Sequence, residues 1–176
     1  MKYFQFLDKR IIKRRGNVPY LIRWTIIGFG VDSSWFSIKL HNILISDEEC
    51  LHNHPWTFIS IILKGGYTEH TKHLPWAYNK AGWSDPVISE KNGFHVQHKT
   101  FKAGSILYRP AHWSHRLQLP NRLVPLMAGV LNGDICKEKP IPVWTLVFTF
   151  RKTQRWGFFT KTGWIPNWKY SEEKDC

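Results

Sequence analysis

What most constrains this chain is the texture of its apolar runs from Tyr20 onward. They are short and alternate, or nearly so: YLIRWTIIGFG, WFSIKLHNILIS, WTFISIILK, KTFK, GSILYRP, LVPLMAGVL and VWTLVFTFR. Ile, Val, Phe, Trp and Thr dominate them, the residues that suit a pleated, half-buried surface. Gly-Phe-Gly, Gly-Gly, Lys-Asn-Gly and Asn-Gly-Asp stand between them, and glycine and asparagine at such points turn a chain back on itself. The pattern is that of an all-β domain of roughly eight or more short strands. At 176 residues a single domain is expected, large enough to bury a core without covalent staples.

Two segments depart from that texture. Residues 1–19 form a basic N-terminal extension in which Phe4, Phe6, Leu7, Ile11 and Ile12 recur at loosely helical spacing, so a short helix is expected there, with the β-domain proper over 20–176. Residues 74–98 are less regular and read as a long excursion from the body of the domain, and loops of that kind are more often functional than idle.

The formal net charge of +12 is concentrated in Lys9, Arg10, Lys13, Arg14 and Arg15 and again in Arg151, Lys152, Arg155 and Lys161. Such a surface is either simply solvated or meets a polyanion, nucleotide or nucleic acid. No ordered nucleic-acid-binding motif accompanies it. Cys50, Cys136 and Cys176 are odd in number and lack C-x-x-C spacing, so neither a disulfide framework nor a zinc ribbon is expected. Charges break the first apolar run and no stretch approaches 18 apolar residues. A soluble, cytoplasmic protein without membrane contact is the expectation, with homo-oligomerisation left open. Phosphate-loop and nucleophile-elbow signatures are absent.

The nine histidines say more by arrangement than by number. In Leu51-His52-Asn53-His54-Pro55-Trp56 the i, i+2 spacing turns both imidazoles to one face of an extended segment, where they can converge on one cation. A second block, Gly104-Ser105-Ile106-Leu107-Tyr108-Arg109-Pro110-Ala111-His112-Trp113-Ser114-His115, follows about fifty residues later.

These blocks resemble the two motifs of the cupins. Gly104, Pro110 and His115 match the second motif, G-x5-P-x-G-x2-H-x3-N, while His52, His54 and Gly65 or Gly66 match the first, G-x5-H-x-H-x3,4-E-x6-G. More narrowly, LHNHPW, ILKGGYTEH, RPAHWSHRL, VWTLVFTF and RWGFFTKTGW are similar to a group of small cupins of bacteria and their phages, over roughly residues 40–165. The resemblance implies a double-stranded β-helix, or jelly-roll barrel, whose mouth binds a divalent metal through His52, His54 and His115. It implies Fe(II) first, with Zn, Mn or Ni open, and a dioxygenase as a common use of such a site.

Departures from the motifs matter equally. The family's glutamate ligand falls at Phe58 or Ile59, its second-motif glycine is His112 and its asparagine is Leu119. Glu69 is the favoured replacement ligand, with His70 and His112 as alternates. If Gly65-Gly66 makes a two-residue hairpin, Lys64 pairs with Tyr67 and Glu69 points inward, whereas a bulge near Pro55 would bring His70 in instead. Arg109, Arg116 and Tyr67 are the candidates for holding a small anionic substrate, since a guanidinium fork suits carboxylate or phosphate; a surface ion pair is the alternative role for either arginine. His41 reads as a hydrogen-bonded structural residue, and His73, His95 and His98 as solvent-facing. The tryptophans at 56, 113, 144, 156 and 164 read as core or as a rim around the mouth.

No nucleophile or general base stands out, so the catalytic residues are unassigned. Two or three neutral imidazoles with open coordination positions suit Fe(II) oxygen chemistry, or Lewis-acid isomerisation or hydrolysis with Zn(II) or Mn(II). The rival class is a non-catalytic cupin that captures a small anionic ligand, nucleotide or nucleic acid.

Overall fold

The structure is a computed structural model, and it describes residues 3–72, 88–91, 94–125 and 136–170. In chain order the strands are β1 (Phe4–Lys13), β2 (Pro19–Phe29), β3 (Phe36–Ile43), β4 (Leu51–His52) and β5 (Trp56–Lys64). There follow β6 (Gly66–Lys72), β7 (Ile88–Lys91), β8 (Phe94–Lys102), β9 (Ile106–Arg109) and β10 (His115–Gln118). The last are β11 (Asn121–Pro125), β12 (Cys136–Pro140), β13 (Val143–Lys152), β14 (Gly157–Thr160) and β15 (Gly163–Pro166). Two short 3-10 turns, Arg15–Asn17 and Val31–Ser33, are the helical elements among the described residues. The all-β expectation holds.

Two antiparallel sheets make the body. One runs β1-β2-β3-β13-β5-β9 and the other β15-β14-β4-β10-β6-β8-β7, with β11-β12 as a separate ribbon. Alternation along β3, β5 and β13 sends Ile43, Phe58, Ile62, Val143 and Val147 inward, and the register of β13 against β5 places Val147 opposite Ser60 and Thr145 opposite Ile62. Leu21, Ile43, Ile62, Tyr67, Leu107, Leu119 and Val143 close into one buried cluster, and burial of such side chains stabilises by about 1.5–3 kcal/mol each.

The structure corrects four readings of the sequence. Residues 4–13 are the edge strand β1 and not a helix: Ile11 lies opposite Ile22 and Lys9 opposite Trp24. Its apolar residues neither alternate cleanly nor follow a helical period, and a long partner strand decides between the two. Lys64 and Tyr67 do not form a hairpin pair. β5 and β6 belong to different sheets, so Gly65-Gly66 is a corner where the chain crosses between them. Gly65 has φ +81, and a Cβ on Gly66 would sit 2.5 Å from the Phe101 carbonyl oxygen, so both must lack a side chain. The irregular excursion expected over 74–98 is shortened by β7 and β8, which pair from Lys91↔Phe94 to Ile88↔Gln97. Finally, Cys50 is disulfide-bonded and packs in a buried cluster with Phe158 and Tyr170, although the odd cysteine count and its spacing gave no expectation of a disulfide framework.

Candidate metal centre

β4 and β10 of the second sheet lie side by side with His115 directly opposite His52, and His54 follows two residues on as the chain leaves β4 for β5. Cross-strand neighbours have Cβ atoms about 4.5–5.5 Å apart, so pairing alone brings the first two rings together. The ring centroids of the three histidines are 5.0–5.2 Å from one another, and one nitrogen from each lies within 4.8 Å of the others. Nε2 of His54 and Nε2 of His115 stand 2.8 Å apart.

The His52–His54 segment is held by partners that motif reading does not disclose. Asn53, between the two histidines, is buried; its Oδ1 accepts the Gly157 N–H at 2.8 Å and its Nδ2 donates to the Arg155 carbonyl at 3.2 Å. Gln154 Nε2 donates to the His54 carbonyl at 2.8 Å. Asp47 sits 4.0 Å from His52 Nε2 while accepting the Leu117 N–H at 2.6 Å and the Tyr20 hydroxyl. The signal for Asn53 was alternation: a polar residue between two ligands points away from them and toward the neighbouring strand.

Glu69 occupies a different position from the one expected of a ligand. It is 1% exposed and stands behind His115, accepting its Nδ1 proton at 2.5 Å. The same Oε1 accepts Trp113 Nε1 at 3.2 Å and Arg109 Nε at 2.9 Å, and Oε2 accepts Arg109 Nη2. Burial raises the carboxyl pKa, but the bond to His115 and the charges of His115 and Arg109 outweigh it and bring the value to about 2. Both oxygens are thereby committed to a fork-to-fork ion pair.

The other candidates separate from the triad. His70 points the opposite way from Glu69 along β6, with its Nε2 2.8 Å from Gln118 Oε1 and its Nδ1 2.6 Å from His98 Nδ1. His98 is therefore engaged and not simply solvent-facing. His112 is exposed. His73 and the side chain of His95 lie outside the described residues. Arg109 is spent on Glu69, and Arg116 pairs with Glu49 at 3.1 Å. Neither arginine lines the cavity beside the triad, whereas Tyr67 does.

That cavity, of about 250 Å³, lies between the two sheets. His52, His54 and His115 line it together with Phe58, Trp56 and Trp156, and Leu21, Ile43 and Tyr67 of the core also border it. Burial lowers the pKa of His52 to about 4 and that of His54 well below its usual value, so both rings are neutral near pH 7 and offer lone pairs. β2 and β3 contribute Arg23, Lys39 and His41 to the facing wall. Arg23 Nε donates to His41 Nε2 at 3.2 Å, in line with a hydrogen-bonded role for His41. Arg23 and Lys39 belong to no motif, and their sequence signal is a lysine at an inward-facing position of FSIKLHNILIS.

The residues fit a first-row metal ion. Imidazole nitrogens about 2.0–2.1 Å from one ion are about 3.0–3.4 Å apart; the His54–His115 spacing of 2.8 Å is close to this, and the three donor nitrogens together lie within 4.8 Å of one another. The bond to Glu69 fixes the His115 proton on Nδ1, which frees Nε2 for the cluster.

No protein-family model matches the sequence, and no curated protein matches it. Solved structures do match in shape. A cupin-2 domain protein from Rhodospirillum rubrum aligns with a TM-score of 0.51 at 10% identity over 89% of this chain and 77% of that one. An RmlC-like cupin protein from Ralstonia eutropha aligns at 0.46 and 12% identity over 90% and 74%. The hydroxypropylphosphonic acid epoxidase from S. wedmorenis aligns at 0.44 and 12% identity over 83% of this chain, which spans only 58% of the epoxidase. Paired antiparallel sheets enclosing a cavity and the likeness in shape to the cupin-2 domain protein together make the fold that of a cupin.

Proposed function

We propose that this chain is a metal-dependent cupin of oxygenase type that acts on a small anionic substrate, with His52, His54 and His115 as the metal ligands. The observation that supports it is the convergence of three imidazoles, two of them kept neutral by burial, on one wall of a cavity bordered by aromatic residues. An all-imidazole donor set with no thiolate suits Fe(II), and equally admits Zn(II), Mn(II) or Ni(II). We also place the chain among the small bacterial and phage cupins on its HxHPW, GGYTE and RPAHxxHR tracts.

When bound, Fe(II) would supply redox chemistry with dioxygen. The chain's own residues set the conditions for it. Glu69 holds the proton of His115 on Nδ1 and keeps that ring from rotating. Asn53 and Gln154 hold the backbone that carries His52 and His54. Phe58, Trp56 and Trp156 border the cavity with apolar surface, which would limit the water beside a bound ion. The net charge of +12 raises the local concentration of anions.

The test is metal content after purification without chelators, followed by oxygen uptake with panels of carboxylates, phosphonates and phosphate esters. Stoichiometric iron together with substrate-dependent oxygen uptake is expected. Iron-free protein that gains no activity on Fe(II) addition would instead favour a binding protein.

A further inference from the structure

The wall facing the triad has a chemistry of its own. On the first sheet, Arg23 of β2 lies directly across from His41 of β3, and Thr25 across from Lys39, so the two cationic side chains stand on successive inward rungs. The next strand sets Thr145 opposite His41 and Val147 opposite Lys39. Lys39 is 3% exposed, and its ammonium lies 4.3 Å from the centre of the Trp56 ring. Among the described residues it has no acidic partner. Arg23 donates from Nε to His41, which leaves the two terminal nitrogens of its fork without an acceptor there.

A buried cation without a counter-charge is costly, and two on one cavity wall are costlier. Asp47 is the carboxylate that borders this cavity, but it is committed to the Tyr20 hydroxyl, the Leu117 N–H and the His52 side. Burial accordingly lowers Lys39 to about 7 and Arg23 to about 10. What the wall lacks is negative charge with several acceptor atoms, and an oxyanion brings both. The Arg23 fork can take two oxygens, and the Lys39 ammonium can take a third from the side.

We propose that Arg23 and Lys39 form an oxyanion subsite that holds the phosphate, phosphonate or carboxylate head of a small ligand across the cavity from His52, His54 and His115. The subsite deepens the function proposed above by naming what holds the substrate's charge, but anion binding at it does not require the metal. The two halves come from different sheets, so a ligand spans the sandwich with its charged end on β2–β3 and its reacting end toward β4–β10. A cavity of about 250 Å³ admits a head group with a few carbons and excludes a nucleic-acid strand.

Isothermal titration of the full chain, both metal-stripped and Zn(II)-loaded, with inorganic phosphate, methylphosphonate and acetate tests this. The proteins compared are wild type, Arg23→Gln, Lys39→Met and Arg116→Gln. Lys39→Met keeps the length of the side chain and removes a buried charge, so it retains the fold. At least one anion is expected to bind the stripped wild type, to bind at least tenfold more weakly to Arg23→Gln and Lys39→Met, and to bind Arg116→Gln unchanged, with Zn(II) affinity preserved in all. Absence of binding for all three anions, binding that survives both cavity substitutions, or equal loss in Arg116→Gln would overturn the subsite. Anion binding that depends on Arg23 and Lys39 in a chain that takes up no Zn(II) would uphold the subsite and overturn the metal centre instead.

Discussion

Glu69 accepts the Nδ1 proton of His115 at 2.5 Å while its carboxylate is gripped in a fork by Arg109. One buried acid thereby joins the triad to an ion pair behind it. Removing the acid strands two groups at once. Glu69→Ala is expected to destabilise the fold by about 3–5 kcal/mol, because a buried guanidinium is left unpaired, and to weaken metal binding about 10–100-fold. Glu69→Gln can still accept from His115 and should lose less metal affinity than Glu69→Ala. Urea titration and Zn(II) or Co(II) titration read the two effects separately; full metal affinity in Glu69→Ala would show that His115 does not depend on its partner.

Each of His52→Ala, His54→Ala and His115→Ala is expected to purify with less than a tenth of the metal of wild type. His70→Ala and His112→Ala should keep it, since His70 faces His98 and Gln118 and His112 is exposed. Elemental analysis of protein prepared without chelators decides. Metal retained in any of the first three, or lost in either of the last two, changes the ligand set.

Acid should loosen the metal-free fold through the same rings. Burial lowers His52 to about 4, while an imidazole in the unfolded chain titrates near 6.5. Below pH 6.5 the unfolded chain binds a proton that the folded chain refuses, so stability is intact above that pH and is lost as pH falls toward 4. The slope is about 1.4 kcal/mol per pH unit at most for one such ring. Urea midpoints measured between pH 7 and pH 4.5 should fall for the wild type and fall less for His52→Gln; parallel slopes would mean that another group carries the dependence.

Asn53→Ala should weaken metal binding without touching a ligand, because it frees the segment between His52 and His54 from Gly157 and Arg155. A severalfold loss of Zn(II) affinity is expected, together with about 1–3 kcal/mol of stability for the buried groups left unpaired. Asn53→Asp, which retains the acceptor for the Gly157 N–H, should recover part of the metal affinity. Ile62→Ala, at a position 1% exposed in the core, should cost about 2–5 kcal/mol and leave metal affinity intact, which separates packing from positioning.

Strand alternation made the β class legible and the i, i+2 spacing paired His52 with His54, because both depend on local periods, whereas His115 was reached only through the resemblance to the second cupin motif. Features set by distant pairing were not legible. β1 reads ambiguously until β2 lies beside it, and Gly65-Gly66 reads as a hairpin until β5 and β6 are seen to join different sheets. Arg109 reads as a ligand clamp beside His115, yet the Glu69 that claims it is forty residues away. The inward face of β3 carried Lys39 and His41 in plain alternation with Ser37 and Ile43. Its meaning required knowing that this face looks across at the histidines.

The division of the cavity between two sheets has an evolutionary corollary. The histidines are anchored to β4 and β10, whereas the opposite wall belongs to β2 and β3. Substitutions on that wall can drift one at a time while the histidine corner and its Glu69–Arg109 brace stay untouched. Under the proposed function, a lineage built this way can change what it accepts by repainting one wall of the room.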